Sequence, residues 1–251
     1  MFLDNNKNEE KNYVIGRNAV QEALKSGRTI DSILVQNGEH TGSLRQIVAQ
    51  ARQNNIVVKQ TAKKALDAMC SGANHQGVIA VVGAKKSATV QEILNLAEQK
   101  NESPFIIIAD GVEDPYNLGA IIRTAECVGA HGVIIPKRRC SGLTYAVEKS
   151  SAGALEHMLV AKVNNIATEI EKLKDAGVWI YTADMDGEPC YSCSLKGAIA
   201  LVVGSEGRGV SRLIRERSDV IISLPMKGKI NSLNVSVAAG VLMYEIARQR
   251  G

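Results

Sequence analysis

The sequence predicts an α/β fold built on a mostly parallel sheet, and three observations carry that reading. Short runs rich in Val and Ile alternate with longer stretches whose apolar residues recur at helical spacing. Some strand-like runs, Gly77 to Val82 above all, are apolar without interruption, as strands buried on both faces are. The alternation breaks once, over 84–104, where bulky apolar residues thin out and the chain runs through Asn101-Glu-Ser-Pro104, the composition of a linker.

The break divides the chain into a disordered polar leader (1–12), a small α/β domain (13–83), a linker carrying one helix (84–104) and a larger α/β domain (105–251). In the first domain, Tyr13 to Gly16 opens the pattern. A helix follows with the stripe Ala19, Val20, Ala23 and Leu24, then a strand at Ile30–Val35. Ser43–Gln53 reads as helix through Leu44, Ile47, Val48 and Ala51, Ile56–Val58 as strand, Ala62–Met69 as helix and Gly77–Val82 as the closing strand. In the second domain, strands are expected at Phe105–Ala109, Val133–Ile135, Val178–Thr182, Ile199–Val203 and Val220–Ser223. Helices are expected at Leu118–Val128, around Tyr145–Ser151, at Ile166–Asp175 and at Val235–Gln249. Strands alternating with helices call for a sheet covered on both sides.

Composition narrows the classes. At 251 residues and 45% hydrophobic content the chain can bury true cores. Its first residues have no apolar block of the secretory kind, and no apolar run is long enough to cross a bilayer, so a cytoplasmic protein is expected. The odd, scattered set Cys70, Cys127, Cys140, Cys190 and Cys193 does not make a disulfide framework. Cys127, inside a helical segment, reads as a small packing residue. Cys190-Tyr-Ser-Cys193 has half of a zinc-knuckle spacing, but neither a second pair nor the isolated His40, His75, His131 and His157 complete it, so no metal is expected. A formal net charge of +4 permits a polyanion partner without requiring one.

Three segments of the second domain carry chemistry. Asp110 to Thr124 passes from a strand end through a turn into a helix, with Asn117 read as its N-cap and Arg123 off the apolar stripe. At that place an arginine is either solvated or holds a phosphate or ribose oxygen with its planar fork of donors. Leu201 to Gly209 is a buried strand ending in a glycine-rich loop around Glu206. Its GxxGxG spacing satisfies neither the dinucleotide fingerprint nor the phosphate loop. Ile221 to Ser236 runs from a strand through Leu224-Pro-Met226, a basic loop and Ser232-Leu-Asn234-Val-Ser236 into a helix, with Ser232 or Asn234 as cap. Leu224, Met226 and Leu233 suit an apolar slot for an adenine.

Taken together, Asn117-Leu-Gly-Ala-Ile-Ile-Arg123, Val203-Gly-Ser-Glu206-Gly-Arg-Gly209 and Leu224-Pro-Met226 with Ser232-Leu-Asn234-Val-Ser236 resemble, in order and spacing, the three motifs of the SpoU (TrmH) class of RNA ribose 2′-O-methyltransferases of the SPOUT superfamily. The first domain, with Ile15-Gly-Arg-Asn-Ala-Val and His75-Gln-Gly77-Val, is similar to the substrate-binding domain of bacterial 23S ribosomal RNA guanosine 2′-O-methyltransferases. The resemblance implies a trefoil knot in the C-terminal region. It also implies a homodimer with sites at the interface, and S-adenosylmethionine as donor held by Gly204, Leu224, Met226 and Leu233. It assigns Asn117, Arg123, Glu206, Ser232 and Asn234 to catalysis. Because a guanidinium stays protonated, Arg123 is expected to stabilise oxyanion charge, with Glu206 or water taking the proton.

RNA also needs a track. Arg17, Lys137, Arg138, Arg139, Arg208, Lys227 and Lys229 are the expected phosphate contacts, extended by Arg45, Arg52, Arg212, Arg215 and Arg217. Tyr116 and Tyr145 are the few platforms for base stacking. Three other readings compete: a transfer RNA ribose methyltransferase, a catalytically silent RNA-binding ribosome-assembly factor, and a nucleotide-dependent oxidoreductase, the last disfavoured by the glycine spacing.

Overall fold

The computed structural model describes residues 12–27, 29–38, 42–70, 74–82 and 87–251, which fall into two compact units dividing at Ser87. The expected leader lies outside the described residues except for Asn12, which pairs with Val82 as the first residue of a strand. His40 and the boundary at Gly83 also lie outside them.

In the first unit the strands are β1 (Asn12–Ile15), β2 (Ile30–Gln36), β3 (Val57–Thr61) and β4 (Val78–Val82), and the helices α1 (Arg17–Lys25), α2 (Ser43–Gln53) and α3 (Lys63–Met69). They form a four-stranded sheet in the order β1-β4-β2-β3. β4 runs antiparallel to both neighbours and β2 pairs with β3 in parallel. Every residue of β4 is buried, which is why its run is apolar throughout. The stripes of α1 and α2 bury Val20, Ala23 and Leu24, and Leu44, Ile47, Val48 and Ala51, into one core.

The second unit has strands β5 (Phe105–Asp110), β6 (Gly132–Pro136), β7 (Val160–Val163), β8 (Trp179–Pro189), β9 (Ile199–Gly204) and β10 (Val220–Ser223). Its helices are α4 (Val90–Gln99), α5 (Pro115–Cys127), α6 (Tyr145–Ser150), α7 (Ile166–Asp175), α8 (Arg212–Arg217) and α9 (Val235–Arg250). The six strands run in the order β10-β8-β9-β5-β6-β7, and every pairing is parallel. Side chains alternate along the central strands. Phe105, Ile107 and Leu201 join one core with Leu118, Ile122, Leu242 and Ile246 of α5 and α9. Ile106, Ile108 and Val202 join a second core with Ile93, Ile170 and Leu173 of α4 and α7. Each fully buried Ile or Leu contributes roughly 1.5–3 kcal/mol relative to exposure, so the two faces together carry the unit.

Several expectations need correction. The segment 84–104 is not a linker where it is described. Thr89 and Glu92 form a reciprocal capping box, and Ile93 and Ala97 are buried. A Cβ at Gly132 would lie 2.5 Å from Ile93, so α4 is seated directly on β6. The narrow stripe of α4 is what made it read as weakly anchored. Helix α5 starts a turn earlier than expected: Asp114 is the N-cap, accepting from Asn117 N–H at 2.8 Å, with Pro115 opening the helix. Asn117 is therefore no cap and sits buried in the first turn. Cys127, at the end of α5, is exposed rather than packed. β7 and α8 were not anticipated: Lys162 interrupts the apolar run of β7, and α8 buries only Ile214 among four charged residues. β8 runs on past Thr182, and its pairing with β10 jumps from Ile221↔Thr182 to Ile222↔Glu188. No described helix is long and apolar enough to cross a membrane.

His131 is a buried joint between β5 and the turn before β6. Its Nδ1 accepts from Phe105 N–H at 3.0 Å, so Nε2 carries the proton and donates to Glu102 at 3.1 Å. Burial lowers its pKa from the ordinary 6.5, against the opposing pull of Glu102. The unfolded chain therefore takes up a proton near 6.5 that the folded ring resists, and stability drains away as pH falls below that value until the folded ring protonates too. Urea unfolding is expected to show a falling midpoint from pH 7.5 to pH 5.5. In His131→Gln that fall should be shallower.

Candidate active site

The carboxyl ends of parallel strands are where open α/β sheets bind ligands, and the three motif segments leave from the ends of β5, β9 and β10. Gly204 closes β9 against its own loop: a Cβ there would lie 2.1 Å from the Gly209 carbonyl carbon. Ser205 and Gly209 exchange backbone hydrogen bonds at 3.1 and 3.0 Å, which folds the loop tightly and presents Glu206 at its tip. Asp110, at the end of β5, accepts from Ser211 N–H at 3.0 Å and ties this loop to the neighbouring strand.

Glu206 joins all three segments. Its Oε1 accepts from Asn117 Nδ2 at 2.9 Å and from Asn234 Nδ2 at 2.7 Å. Asn234 Nδ2 also reaches Asn117 Oδ1 at 3.0 Å. Asn234 Oδ1 meanwhile caps α9, accepting from Ser236 N–H at 2.9 Å, Val237 N–H at 3.3 Å and the Ser236 hydroxyl at 2.6 Å. Asn234 is thus the cap, as one of the two expected candidates, while Ser232 is exposed nearby. Arg123 stands apart from the network. It is exposed on the face of α5 opposite the core and makes no hydrogen bond or ion pair among the described residues.

Beside the network lies a cavity of about 480 Å³. Its lining includes Asn117 and Glu206, three further carboxylates, Asp110, Glu113 and Asp114, and two arginines, Arg139 and Arg208. Arg139 holds φ at 58°, a left-handed conformation costly for a side-chain-bearing residue and typical of functional loops. Sequence reasoning passed over the carboxylates, although Asp114 before Pro115 is the usual signature of a helix start.

The apolar residues expected around a donor divide in two. Leu224 packs partly against the core, whereas Met226 and Leu233 are 39% and 44% exposed. Ile230 in the same loop, which was not anticipated, is 74% exposed. Apolar side chains left open beside a glycine-rich strand end fit a flat, partly apolar ligand.

The expected basic track separates likewise. Lys137, Arg138, Arg139, Arg208, Lys227 and Lys229 are exposed. Arg215 instead pairs with Asp184 at 3.0 Å and Arg217 with Glu171 at 3.2 Å, while Arg212 binds Glu216 at 2.6 Å. In the first unit Arg17 is half-buried, donating from Nε to Gln76 O at 2.9 Å and from Nη1 to Ser43 Oγ at 3.3 Å. It braces the turn around His75, which accepts Gly77 N–H at 2.9 Å and contacts Asp67 at 3.0 Å. Cys190 is buried and Cys193 lies 3.8 Å from Glu188, and burial raises both thiols above their ordinary pKa.

Residues 104–244 match the SpoU rRNA methylase family, and residues 13–88 match the RNA 2′-O ribose methyltransferase substrate-binding family. The fold and site are those of an RNA methyltransferase, and the chain belongs to the SpoU rRNA methylase family. Among its relatives, YacO of Bacillus subtilis, assigned to the TrmH family of tRNA/rRNA methyltransferases, is 46% identical over 96% of this chain and 97% of that one. A TrmH family tRNA/rRNA methyltransferase of Staphylococcus saprophyticus is 42% identical over 96% and 97%. In fold the chain is similar to the SpoU methyltransferase AviRb of Streptomyces viridochromogenes, solved with AdoMet. That structure is 23% identical with a TM-score of 0.79, and the likeness covers 95% of this chain and 90% of that one.

The network makes a separable prediction about Asn234. Asn234→Ala removes cap and bridge together and is expected to cost about 1–2 kcal/mol in denaturant unfolding. Asn234→Asp keeps a capping oxygen but sets it against Glu206, so α9 should retain more of its stability while the loop bearing Glu206 loosens. Amide hydrogen exchange across 205–209 reads that loosening directly.

Proposed function

We propose that the second unit transfers a methyl group from S-adenosylmethionine to a ribose 2′-hydroxyl of RNA, with a guanosine of 23S ribosomal RNA as the target. The observation that carries this reading is the Asn117–Glu206–Asn234 network beside the cavity, because it fixes one carboxylate oxygen with two amide donors. The other, Glu206 Oε2, is left to accept the proton of a hydroxyl that enters. S-adenosylmethionine, when bound, supplies an electrophilic methyl on a sulfonium. Gly204, Leu224, Met226 and Leu233 are the residues that would hold it, and the exposed Met226 and Leu233 have the apolar character such a ligand would cover.

The remaining residues have supporting roles. Ser232 orients the ribose. Arg123 cannot act as a base and instead stabilises the charge that develops on the ribose oxygen. Its exposed position suits a site completed by a partner subunit in the homodimer that the family resemblance implies. We assign the exposed stripe Val237, Val241 and Tyr244 on α9 to that interface, and the loops 204–211 and 224–234 to the implied knot. The RNA backbone follows Lys137, Arg138, Arg139, Arg208, Lys227 and Lys229, with Arg17 marking the substrate-binding unit.

A second reading, transfer RNA ribose as substrate, is favoured by the likeness to a structure described as an A. aeolicus TrmH/SpoU tRNA modifying enzyme, at 30% identity and a TM-score of 0.56 over 63% of this chain and 82% of that one. Mapping 2′-O-methyl groups in ribosomal and transfer RNA incubated with the protein and donor decides between them, and absence of any new site in either would overturn the proposal. On the cognate RNA, Glu206→Gln should lower kcat by about 100-fold or more with donor affinity retained, as loss of a positioned proton acceptor does. RNA affinity should fall steeply with salt, with a log–log slope of about −2 to −4 for three to six phosphate contacts at about −0.7 each.

A further inference from the structure

We propose that Glu113 reads the target base as guanine through its Watson–Crick edge. The inference rests on the reading above that the substrate is a guanosine.

Four carboxylates line the cavity, and the fold uses three of them. Asp110 accepts from Ser211 N–H at 3.0 Å, Asp114 caps α5 through Asn117 N–H at 2.8 Å, and Glu206 takes two amides at 2.9 and 2.7 Å. Glu113 is exposed in the turn between β5 and α5 and makes no hydrogen bond or ion pair among the described residues. It lines the cavity with its carboxylate unpaired. Placed one residue before the Asp114 cap, its charge gains from the start of α5 and loses to repulsion from Asp114, and no described side chain pairs with it. Its carboxylate is therefore available to a ligand that pairs with it.

Base chemistry selects the ligand. An ionised carboxylate is an acceptor at both oxygens and is satisfied by two adjacent, parallel donors. Guanine alone offers them, through N1–H and the exocyclic N2–H. Adenine and cytosine set a ring-nitrogen lone pair beside their amino group, and uracil flanks its N–H with carbonyls, so each would aim a lone pair at Glu113. The carboxylate thus favours guanine and repels the others. Single-stranded bases are commonly read on this edge once splayed from their stack. A cavity of about 480 Å³ admits such a base, and Arg139 and Arg208 in the same lining take the phosphates that accompany it.

The test uses the full chain, S-adenosylmethionine and a synthetic RNA fragment spanning the mapped target, made with guanosine or with inosine, which lacks only the N2 amino group. For the unaltered protein, inosine is expected to lower kcat/KM by about 10- to 100-fold, the discrimination of one bidentate pair. In Glu113→Gln and Glu113→Ala the guanosine substrate should fall by a similar factor and the guanosine-to-inosine ratio should approach one. That ratio does not depend on the folded fraction. A full ratio retained in both variants, or an unaltered protein indifferent to inosine, overturns the inference while leaving guanosine methylation standing. A mapped target other than guanosine overturns the substrate reading and this inference with it.

Discussion

One carboxylate oxygen holds the site together. Oε1 of Glu206 receives an amide from residue 117 and another from residue 234, so segments separated by most of the second unit meet at a single acceptor. Hydrogen bonds to an ionised acceptor contribute about 1.5–3 kcal/mol each, and removing one partner leaves a charged group underpaired. The amide orientations are also determined. Asn234 must turn Oδ1 toward the start of α9 to cap it, which leaves only Nδ2 to face Glu206 and Asn117. Asn117 must then present Oδ1 to Asn234 and Nδ2 to Glu206. Neither amide can flip without setting like dipoles together, so asparagine is required at both places and aspartate would repel.

The parallel sheet makes that meeting possible. Because all six strands point the same way, the chain leaves β5, β9 and β10 at one edge, and each departing loop carries one member of the network. The central strands are gripped from both faces by isoleucine and leucine, so their ends are fixed independently of the loops. Gly204 transmits this rigidity, because its strand end and the returning Gly209 lie too close for any side chain. Glu206 therefore stands on a short, stiff turn rather than on a mobile loop.

Much of this was legible in the residues. The apolar runs of β4, β5 and β9 and the stripes of α2 and α9 announced themselves through period and burial. Of the five motif residues grouped for catalysis, Asn117, Glu206 and Asn234 meet in one hydrogen-bond network, while Arg123 and Ser232 stand outside it. What they do was read less well. Capping logic placed Asn117 at a helix start, but Asp114 lies three residues earlier and takes the cap, which frees Asn117 for the network. Lys162 breaks the apolar run of β7 and α8 buries only Ile214, so neither shows a pattern, and α4 has a stripe too narrow to distinguish a seated helix from a linker. Ion pairing was invisible as well: Arg215 and Arg217 look like members of a basic track until Asp184 and Glu171 arrive beside them from distant elements.

The same inventory supports giving the proton, in the proposed reaction, to a carboxylate. Histidine is the usual proton acceptor near neutral pH, yet no histidine among the described residues lines the cavity. His75 and His131 each spend both ring nitrogens on the fold, one in the turn before β4 and the other between β5 and Glu102. The arginines beside the cavity keep their protons. Asp110 and Asp114 are held by backbone N–H groups that the loops need. Glu206 combines a fixed oxygen with an open one, and a carboxylate held that way can orient a hydroxyl through one lone pair without being drawn away by the bonds that position it.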